Sequence, residues 1–167
     1  VALVVSTNVD GLHCKSGLEE SRLAELHGNC FLETCSKCGA RYVRDFDVTT
    51  RRGAEAGVTD IHMTGRKCEA VGCDGALRDN IIHFKENLPQ AEIEKAMEHA
   101  IQADLALVLG TSMRVSPACE LPGMMKGKDG KLVICNLQKT PYDHKAHLRI
   151  HGDTSAVLEA LVAAMQL

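Results

Sequence analysis

The chain has 167 residues, of which 45% are hydrophobic, 25% are charged and only 3% are aromatic, and its formal net charge is -3. This apolar content excludes a disordered chain, while the small net charge and the scarcity of aromatic rings argue against nucleic-acid binding by charge or by base stacking. No apolar run approaches the roughly 20 residues that are needed to span a bilayer, so the sequence predicts no membrane partner.

The first half of the chain begins with a predicted strand. Val1–Thr7 is apolar and β-branched, which is typical of a buried strand, and Asn8–Gly17 is expected to be the loop that leaves its carboxyl end. Ser21–Leu26 is predicted to form a short helical turn. Thr49–Thr64 is polar and contains glycine, which indicates a surface loop, and Gly75–Phe84 is predicted to be a strand that returns to the main body.

The second half of the chain alternates helix and strand. Pro89 opens a predicted helix whose apolar residues recur at the spacing of one helical face, and Leu105–Leu109 is a continuous apolar run, as in a strand buried on both faces. Lys131–Leu137 and Leu148–Ile150 are predicted to be further strands. The last helix is expected to be capped by Asp153, Thr154 or Ser155 and to have an apolar face made of Val157, Leu158, Leu161, Val162 and Met165.

Four of the eight cysteines have the spacing of a zinc site. Cys35 and Cys38 form C-x2-C, Cys68 and Cys73 form C-x4-C, and a loop of about 30 residues separates the two pairs. Four thiolates would complete a tetrahedron and leave no position for water, so the predicted ion is structural. The other four cysteines lie among apolar neighbours and are expected to be buried thiols, which favours a reducing, intracellular compartment.

The alternation of strands and helices predicts an α/β fold, in which a Rossmann-like parallel sheet carries the small zinc-binding insert. The Rossmann-like domain is expected to comprise residues 1–34 and 80–167, and the zinc-binding module residues 35–79. Ligands bind such sheets at the carboxyl ends of the strands. Small polar residues at three predicted strand ends therefore indicate a nucleotide site that contains Thr7, Asn8, Asp10, Gly110, Thr111, Ser112, Asn136 and Gln138.

These polar residues also have plainer interpretations. Asn8 and Asp10 are able to form an Asx-turn, and Gly110 could merely end a strand. No G-x-G-x-x-G follows a predicted strand, so the usual fingerprint for a dinucleotide is missing. His27, in AELHGN, has three interpretations: a metal ligand, a packed core residue or a catalytic base. A fifth ligand is superfluous beside four cysteines, and spacing does not decide between the other two.

The motifs, taken in order, resemble those of the sirtuins, a family of NAD-dependent protein deacylases. STNVDGLH (Ser6–His13) resembles the family's TQN-x-D-x-LH element, AELHGN resembles its catalytic histidine motif, and the cysteine pairs resemble its zinc module. LRDNIIHFKENLP (Leu77–Pro89) is similar to its LRP-x-VV-x-FGE-x-LP segment. LVLGTSMRVSPA, VICNLQKTP and LRIHGD match its cofactor-side strands. Three features most resemble the class IV branch, the nuclear sirtuins of the sirtuin-6 and sirtuin-7 type. They are LRD in place of LRP, NLQ after the third strand, and YVRDFDV.

This resemblance implies an activity and a role for each residue. The implied reaction removes an acyl group from a protein lysine, passes it to the ADP-ribose of NAD and releases nicotinamide. His27 would be the general base, and the backbone at His83 and Phe84 would pair with an extended acylated-lysine peptide, histones included. The implied NAD contacts are Asn8 and Asp10 in the nicotinamide pocket, and Gly110, Thr111, Ser112, Asn136, Gln138 and Thr154 on the adenosine side.

The sequence departs from the family pattern at two positions. Thr7 stands where the family usually has a glutamine that contacts the cofactor ribose, and Lys85 stands where it has a glycine. The family's glycine-rich phosphate loop would precede Val1, so the chain is expected to be an N-terminally truncated catalytic core.

Two further functions stay open at this point. One is mono-ADP-ribosyl transfer by the same family, and the other is an inactive, zinc-stabilised module that binds a peptide. A dehydrogenase is disfavoured because no G-x-G-x-x-G is present. The branch resemblance favours the nucleus, with the cytoplasm as the alternative.

Overall fold

The computed structural model describes residues 1–50, 60–125 and 129–165. It divides into two compact units, Val1–Ile93 and Glu94–Leu167. No helix within these described ranges is both long and apolar enough to cross a membrane. Most of the predicted surface loop over Thr49–Thr64, namely residues 51–59, lies outside the described residues.

A parallel pair of short strands opens the first unit. β1 (Val4–Ser6) lies beside β2 (Leu23–Glu25), and the amide of Leu26 continues the pairing by donating to the Ser6 carbonyl at 2.9 Å. A short helix, α1 (Leu12–Lys15), follows β1 within the segment that was expected to be a loop. The carboxyl ends of β1 and β2 therefore lie side by side.

The predicted helical turn over Ser21–Leu26 is wrong for most of its length. A 3-10 turn covers Glu20–Arg22, and the residues that follow it belong to β2. Leu23 and Ala24 are buried at 3% and 0% exposure. Pairing with β1 thus outweighs the helix propensity of leucine, alanine and glutamate, as tertiary context commonly does.

The first unit also contains a four-stranded antiparallel sheet. Its strands, in spatial order, are β4 (Arg41–Val43), β3 (Leu32–Cys35), β6 (Ala76–Asp79) and β5 (Met63–Lys67). Its buried cluster consists of Cys35, Cys68 and Leu77. Leu77 is the one large aliphatic side chain in this cluster as described, so the cluster itself supplies little hydrophobic stabilisation, and its thiols are expected to contribute by binding metal.

Two boundaries in this sheet differ from the predictions. The strand predicted over Gly75–Phe84 ends at Asp79, because the Asp79 side chain accepts a hydrogen bond from the Ile81 amide at 3.1 Å and turns the chain. β5 begins at Met63, inside the predicted surface loop.

The second unit contains a three-stranded parallel sheet with the order β7-β8-β9. β7 (Leu105–Leu109), β8 (Lys131–Cys135) and β9 (Leu148–Ile150) confirm the strands predicted for this half, although β8 ends two residues early. The amphipathic helix predicted after Pro89 is α2 (Gln90–Gln102), in which the boundary between the units falls.

The last helix, α3 (Thr154–Ala164), is capped as predicted. Asp153 Oδ1 accepts hydrogen bonds from the amides of Ser155 and Ala156 at 3.0 and 3.1 Å. These bonds satisfy two of the donors that a helix start leaves open.

One face of the parallel sheet is packed. The buried cluster consists of Val108, Met113, Leu132 and Ile134. Side chains alternate across a strand, so Leu105 and Leu107 lie on the opposite face, where they are 54% and 40% exposed. The prediction that β7 is buried on both faces is therefore wrong for the described residues. The predicted apolar face of α3 is also largely exposed, including Leu158, Leu161, Val162 and Met165.

Candidate functional site

Four cysteine thiols converge beside the antiparallel sheet. The sulfur of Cys35 lies 3.7 Å from that of Cys73, the sulfur of Cys38 lies 3.6 Å from that of Cys68, and all four lie within 4.8 Å of one another. These distances exclude disulfides, whose sulfurs lie about 2.05 Å apart. Four thiolates placed tetrahedrally around zinc have sulfur–sulfur edges of about 3.8 Å. The donor set and its spacing fit one zinc ion, as the sequence predicted.

Hydrogen-bond donors surround these sulfurs. The amides of Lys37 and Cys38 donate to Cys35 Sγ at 3.3 and 3.4 Å, and the Tyr42 hydroxyl lies 3.0 Å from Cys68 Sγ. The Cys38 amide lowers the pKa of the Cys35 thiol to about 6. Such donors stabilise the thiolate form, which is the form that binds metal.

Gly75→Ala is expected to weaken zinc binding about 10- to 100-fold, as loss of the groups that position a ligand commonly does. A Cβ at Gly75 would lie 2.5 Å from Cys35 Sγ and 2.7 Å from Lys37 Cβ, so the Cys35 sulfur would have to move. Competition with a chromophoric chelator measures the affinity. Gly123→Ala is the matched control, because a Cβ there meets nothing within 4 Å. Equal zinc affinities of the two variants would contradict the steric role of Gly75.

The remaining four cysteines are free thiols with different degrees of burial. Cys135 is buried, Cys30 and Cys119 are half-buried, and Cys14 is exposed. The expectation that all four are buried is therefore wrong for Cys14, which lies on the short helix α1 rather than in a strand.

His27 follows directly after the paired ends of β1 and β2. Its ring is half-buried, and Nδ1 lies 3.1 Å from the carbonyl oxygen of Thr7. A carbonyl oxygen only accepts hydrogen bonds, so Nδ1 carries the proton and Nε2 keeps the lone pair of the neutral ring. The metal-ligand cluster found among the described residues consists of four cysteines and does not include His27.

The turn that carries His27 packs on residues 80–82. The amide of Ile82 donates to the His27 carbonyl at 3.1 Å, and the amide of Asn29 donates to Asn80 Oδ1 at 3.1 Å. Gly28 has a φ of 81°, and a Cβ there would collide with the Asn80 carbonyl. Only glycine combines this conformation with so close an approach, so the glycine of AELHGN holds the His27 backbone against this segment.

Asn8 and Asp10 lie in the loop between β1 and α1, and both are exposed. Asp10 Oδ1 accepts a hydrogen bond from the Leu12 amide at 3.1 Å. This bond forms the Asx-turn that the sequence offered as the alternative interpretation of Asp10. The Asn8 amide donates to Ser6 Oγ at 3.1 Å. The structure thus brings Thr7, Asn8 and His27 to the carboxyl end of the same strand pair.

The other predicted cofactor residues lie in the second unit, where the parallel strands end. The amide of Gly110 donates to the Cys135 carbonyl at 3.0 Å, and the amide of Asn136 donates to the Ile150 carbonyl at 3.1 Å. Gly110 also faces α3, since a Cβ there would lie 3.7 Å from Thr154 Cγ2. This edge brings together Gly110, Thr111, Ser112, Asn136, Gln138 and Thr154, as expected for strand ends in one sheet.

Sequence reasoning missed Arg149, which shapes this edge. Its Nη2 donates to the carbonyls of Asn136 and Gln138 at 2.9 and 2.6 Å. Its Nε lies 3.0 Å from Asp143 Oδ1. Arg149 therefore holds the loop after β8 in place from β9, a contact that no local motif indicates.

The segment predicted to bind peptide is a tight turn. The amide of Glu86 donates to the His83 carbonyl at 3.1 Å, and Phe84 is 93% exposed at the tip. Lys85 has a φ of 77°, in the left-handed region that residues other than glycine rarely adopt. Lys85 thus keeps the conformation that a glycine at this position would adopt without strain.

His62 lies at the base of this turn and was also missed. Its Nδ1 lies 2.9 Å from Asp79 Oδ1, and its Nε2 lies 2.8 Å from Glu86 Oε1. These partners are 17 and 24 residues away in sequence. No spacing pattern therefore connects the three side chains before the fold is known.

Residues 1–117, well over half of the chain, match the model of the Sir2 family. The chain belongs to the Sir2 family. This confirms the resemblance to sirtuins.

Relatives with assigned names carry the similarity over nearly the whole chain. This Sir2-family chain is 43% identical over 164 residues to NAD-dependent protein deacetylase SRT1 of Arabidopsis thaliana, a match that covers 98% of this chain and 33% of the relative. It is 40% identical over 172 residues to human NAD-dependent protein deacetylase sirtuin-7, a match that covers 98% of this chain and 41% of the relative.

A solved structure shows the same fold. The structure described as Sir2 bound to acetylated peptide is 32% identical and superimposes with a TM-score of 0.74, covering 98% of this chain and 63% of that one. This similarity confirms the predicted sirtuin-type α/β fold. The chain spans a third to two fifths of the length of the two named relatives.

Proposed function

We propose that this chain acts in an NAD-dependent protein-lysine deacylase, in which the acyl group passes to ADP-ribose and nicotinamide is released. The observation that carries the proposal is His27, whose Nδ1 faces the Thr7 carbonyl and whose Nε2 keeps the lone pair, at the end of a parallel strand pair. Two named relatives are NAD-dependent protein deacetylases. The tautomer that this hydrogen bond selects leaves the lone pair on Nε2, where a general base needs it.

In this proposal each predicted residue has one role. His27 Nε2 takes a proton from a ribose hydroxyl, which a histidine does well near neutral pH. Asn8 and Asp10, which are exposed beside it, line the nicotinamide pocket, and Thr7 lies next to the ribose. NAD, when bound, would supply the ADP-ribose that accepts the acyl group. The residues proposed for its adenosine half are Gly110, Thr111, Ser112, Asn136, Gln138 and Thr154.

The polar strand ends of the second unit suit this cofactor. Nucleotides bind parallel sheets at the carboxyl edge, where main-chain groups and short polar side chains are accessible. Gly110 and Gln138 are exposed at this edge, and Arg149 orders the loop that carries Asn136. The exposure of this edge and its short polar residues support the proposed site for the adenosine half.

The proposed substrate is an acylated lysine within an extended peptide, histone tails included. His83 and Phe84 are exposed on the turn, so a peptide is able to approach this segment. The similar solved structure is described as bound to an acetylated peptide. We propose the nucleus as the site of action, on the strength of the similarity to the sirtuin-7 branch.

We also propose a division into functional modules. Residues 35–79 form the zinc-binding module, since they carry all four clustered cysteines. Residues 1–34 and 80–167 form the Rossmann-like NAD-binding part. The close packing of Gly28 on Asn80 supports the joining of segments 1–34 and 80–93.

His27→Ala is expected to lower kcat/KM for an acetyl-lysine peptide at least about 100-fold, the usual contribution of a general base. The assay uses two proteins: the 167-residue chain and its His27→Ala variant. Peptide mass and release of acyl-ADP-ribose are followed with and without NAD. His99→Ala is the control, because His99 is an exposed histidine on α2. Unchanged turnover in the His27 variant would overturn the proposal.

The same assay separates the alternative functions. A protein that gains the mass of ADP-ribose, without release of acyl-ADP-ribose, indicates mono-ADP-ribosyl transfer. Peptide binding that is independent of NAD, with no turnover in either protein, indicates a binding module.

A further inference from the structure

The His62 ring is held between two carboxylates. Nδ1 contacts Asp79 and Nε2 contacts Glu86, at 2.9 and 2.8 Å. An ionised carboxylate only accepts hydrogen bonds, whereas a neutral imidazole donates from one nitrogen alone. With both carboxylates ionised, both nitrogens must donate, so the arrangement requires the imidazolium form of His62.

The surroundings of His62 are mainly acidic. The side chains of His62 and Asp79 are 15% and 6% exposed, and that of Glu86 is 33% exposed. Hydrogen bonds to Asp79 and Glu86 raise the pKa of His62 above its ordinary value. Three other charged or titratable groups lie near it. Asp60 Oδ1 accepts a hydrogen bond from the His62 amide at 3.0 Å, and Arg78 pairs with Asp60 at 2.6 Å. The ring centroid of His83 lies 5.3 Å from that of His62.

The two carboxylates hold the backbone at both ends of the proposed peptide-binding segment. Asp79 Oδ1 accepts from the Ile81 amide at 3.1 Å, and Glu86 Oε2 accepts from the His83 amide at 2.7 Å. Between these ends, the Ile82 amide donates to the His27 carbonyl. Through these two carboxylates, the His62 ring therefore connects the start of the segment to its turn.

The turn needs such support because of its own conformation. Lys85 is its third residue and has a φ of 77°, which disfavours the turn for any residue that has a Cβ. A strained backbone persists only where the surrounding structure holds it. The hydrogen bond from His62 to Glu86 supplies that hold from outside the turn.

We propose that protonated His62 is a positioning residue, a clamp that orders residues 79–86 for an extended acyl-lysine peptide and releases the turn as the pH rises. Only the peptide-binding role of this segment rests on the proposed function. The ordering of residues 79–86 by His62 is inferred from the hydrogen bonds of its ring alone. It makes peptide affinity pH-sensitive through a side chain other than that of the proposed base, His27.

The pH window follows from the direction of the pKa shifts. The pKa of His62 is raised from 6.5, so its stabilisation is complete below about pH 6.5 and is lost as the pH rises through the higher value in the folded protein. The His83 amide and then His62 lower the pKa of Glu86 from 4.5, so its contribution is present above that pH and is lost as the pH falls through its lower folded value.

The first experiment uses the full, zinc-loaded chain without substitution. Ring ¹H–¹⁵N spectra across pH 5 to 9 are expected to show His62 titrating above 6.5 with both nitrogens protonated at its lower end. After correction for base catalysis, the amides of Ile82, His83 and Glu86 are expected to become about tenfold less protected from exchange over the same transition. This is the effect of losing one charge-assisted hydrogen bond. A His62 midpoint below 6.5, or protection that does not change through it, overturns the clamp.

Variants then test the connection to the turn. His62→Gln is expected to give low protection of these amides that no longer varies with pH, while His99→Gln, at an exposed site, behaves as the parent. Adding Lys85→Gly to His62→Gln is expected to restore part of the protection, because glycine adopts this φ without strain. Protection in His62→Gln that equals the parent's at pH 6 overturns the proposal.

Peptide binding separates this proposal from the proposed function. An acetyl-lysine peptide is titrated into the parent chain at two pH values, one below and one above the His62 midpoint, and weaker binding at the higher pH supports the clamp's role. Binding of equal strength at both pH values, while protection falls, overturns that role. A peptide that binds at neither pH, while the exchange signature persists, counts against the proposed function and leaves the clamp in place.

Discussion

Removal of zinc is expected to unfold the four-stranded antiparallel sheet and to leave the parallel sheet β7-β8-β9 intact. The four ligands join β3, the turn after it, the end of β5 and the start of β6, and the buried cluster between them offers Leu77 as its one large aliphatic side chain among the described residues. Structural zinc contributes about 10–16 kcal/mol at neutral pH in small zinc-dependent folds. The parallel sheet has its own core around Val108 and Ile134.

Hydrogen exchange during a chelator titration measures this directly. The amide of Cys35, which donates to the Ala40 carbonyl at 2.9 Å, reports on the antiparallel sheet, and the amide of Gly110 reports on the parallel one. Cys68→Ser is expected to reproduce the chelated state without chelator. Cys14→Ser is the matched control, because this exposed thiol lies outside the cluster. Equal protection of the Cys35 amide with and without metal would show that the sheet does not depend on zinc.

Periodic and paired signals in the sequence predicted much of this structure. The cysteine pairs carry their own geometry, because two short spacings leave little freedom in where four sulfurs meet. Leu105–Leu109 is long and apolar enough to have few alternatives to a strand, and Asp153 directly precedes the apolar pattern of α3. Each of these signals is contained within a few neighbouring residues.

The parts that sequence reasoning missed depend on distant contacts. β2 has only three residues and takes its conformation from β1, about 20 positions earlier in the chain, so its composition alone indicates a helix. His62 and Arg149 act through carboxylates and carbonyls that the fold brings to them. The burial predicted for both faces of β7 failed for a related reason, since an apolar run shows what a strand is able to bury and not what covers it.

Glu33→Ala is expected to destabilise the zinc-loaded chain by about 3–5 kcal/mol, the usual effect of breaking a buried ion pair. Glu33 lies on β3 with its side chain at 0% exposure, and its two oxygens accept hydrogen bonds from Arg44 Nε and Arg66 Nε, each at 2.8 Å. Without the carboxylate, two guanidinium groups remain, with side chains only 18% and 15% exposed. Unfolding by urea in the presence of zinc measures the change in free energy. Substituting Arg66→Met as well is expected to recover part of the loss, because it removes the positive charge that Glu33 had paired on that side.

A matched control and the pH dependence distinguish this buried charge from an ordinary salt bridge. Glu69→Gln removes a carboxylate 2.6 Å from the same Arg44, but Glu69 is 61% exposed, so its loss is expected to cost less than about 1 kcal/mol. Burial alone would raise the pKa of Glu33, and the hydrogen bonds from Arg66 and Arg44 outweigh it, so the pKa lies below 4.5. The parent should therefore have a higher free energy of unfolding than Glu33→Gln. This difference should be constant above about pH 5 and should shrink as the pH falls through the lowered pKa of Glu33. Zinc release in acid affects both proteins, so their difference isolates Glu33. An equal cost for the Glu33 and Glu69 substitutions would show that burial adds nothing to this pair.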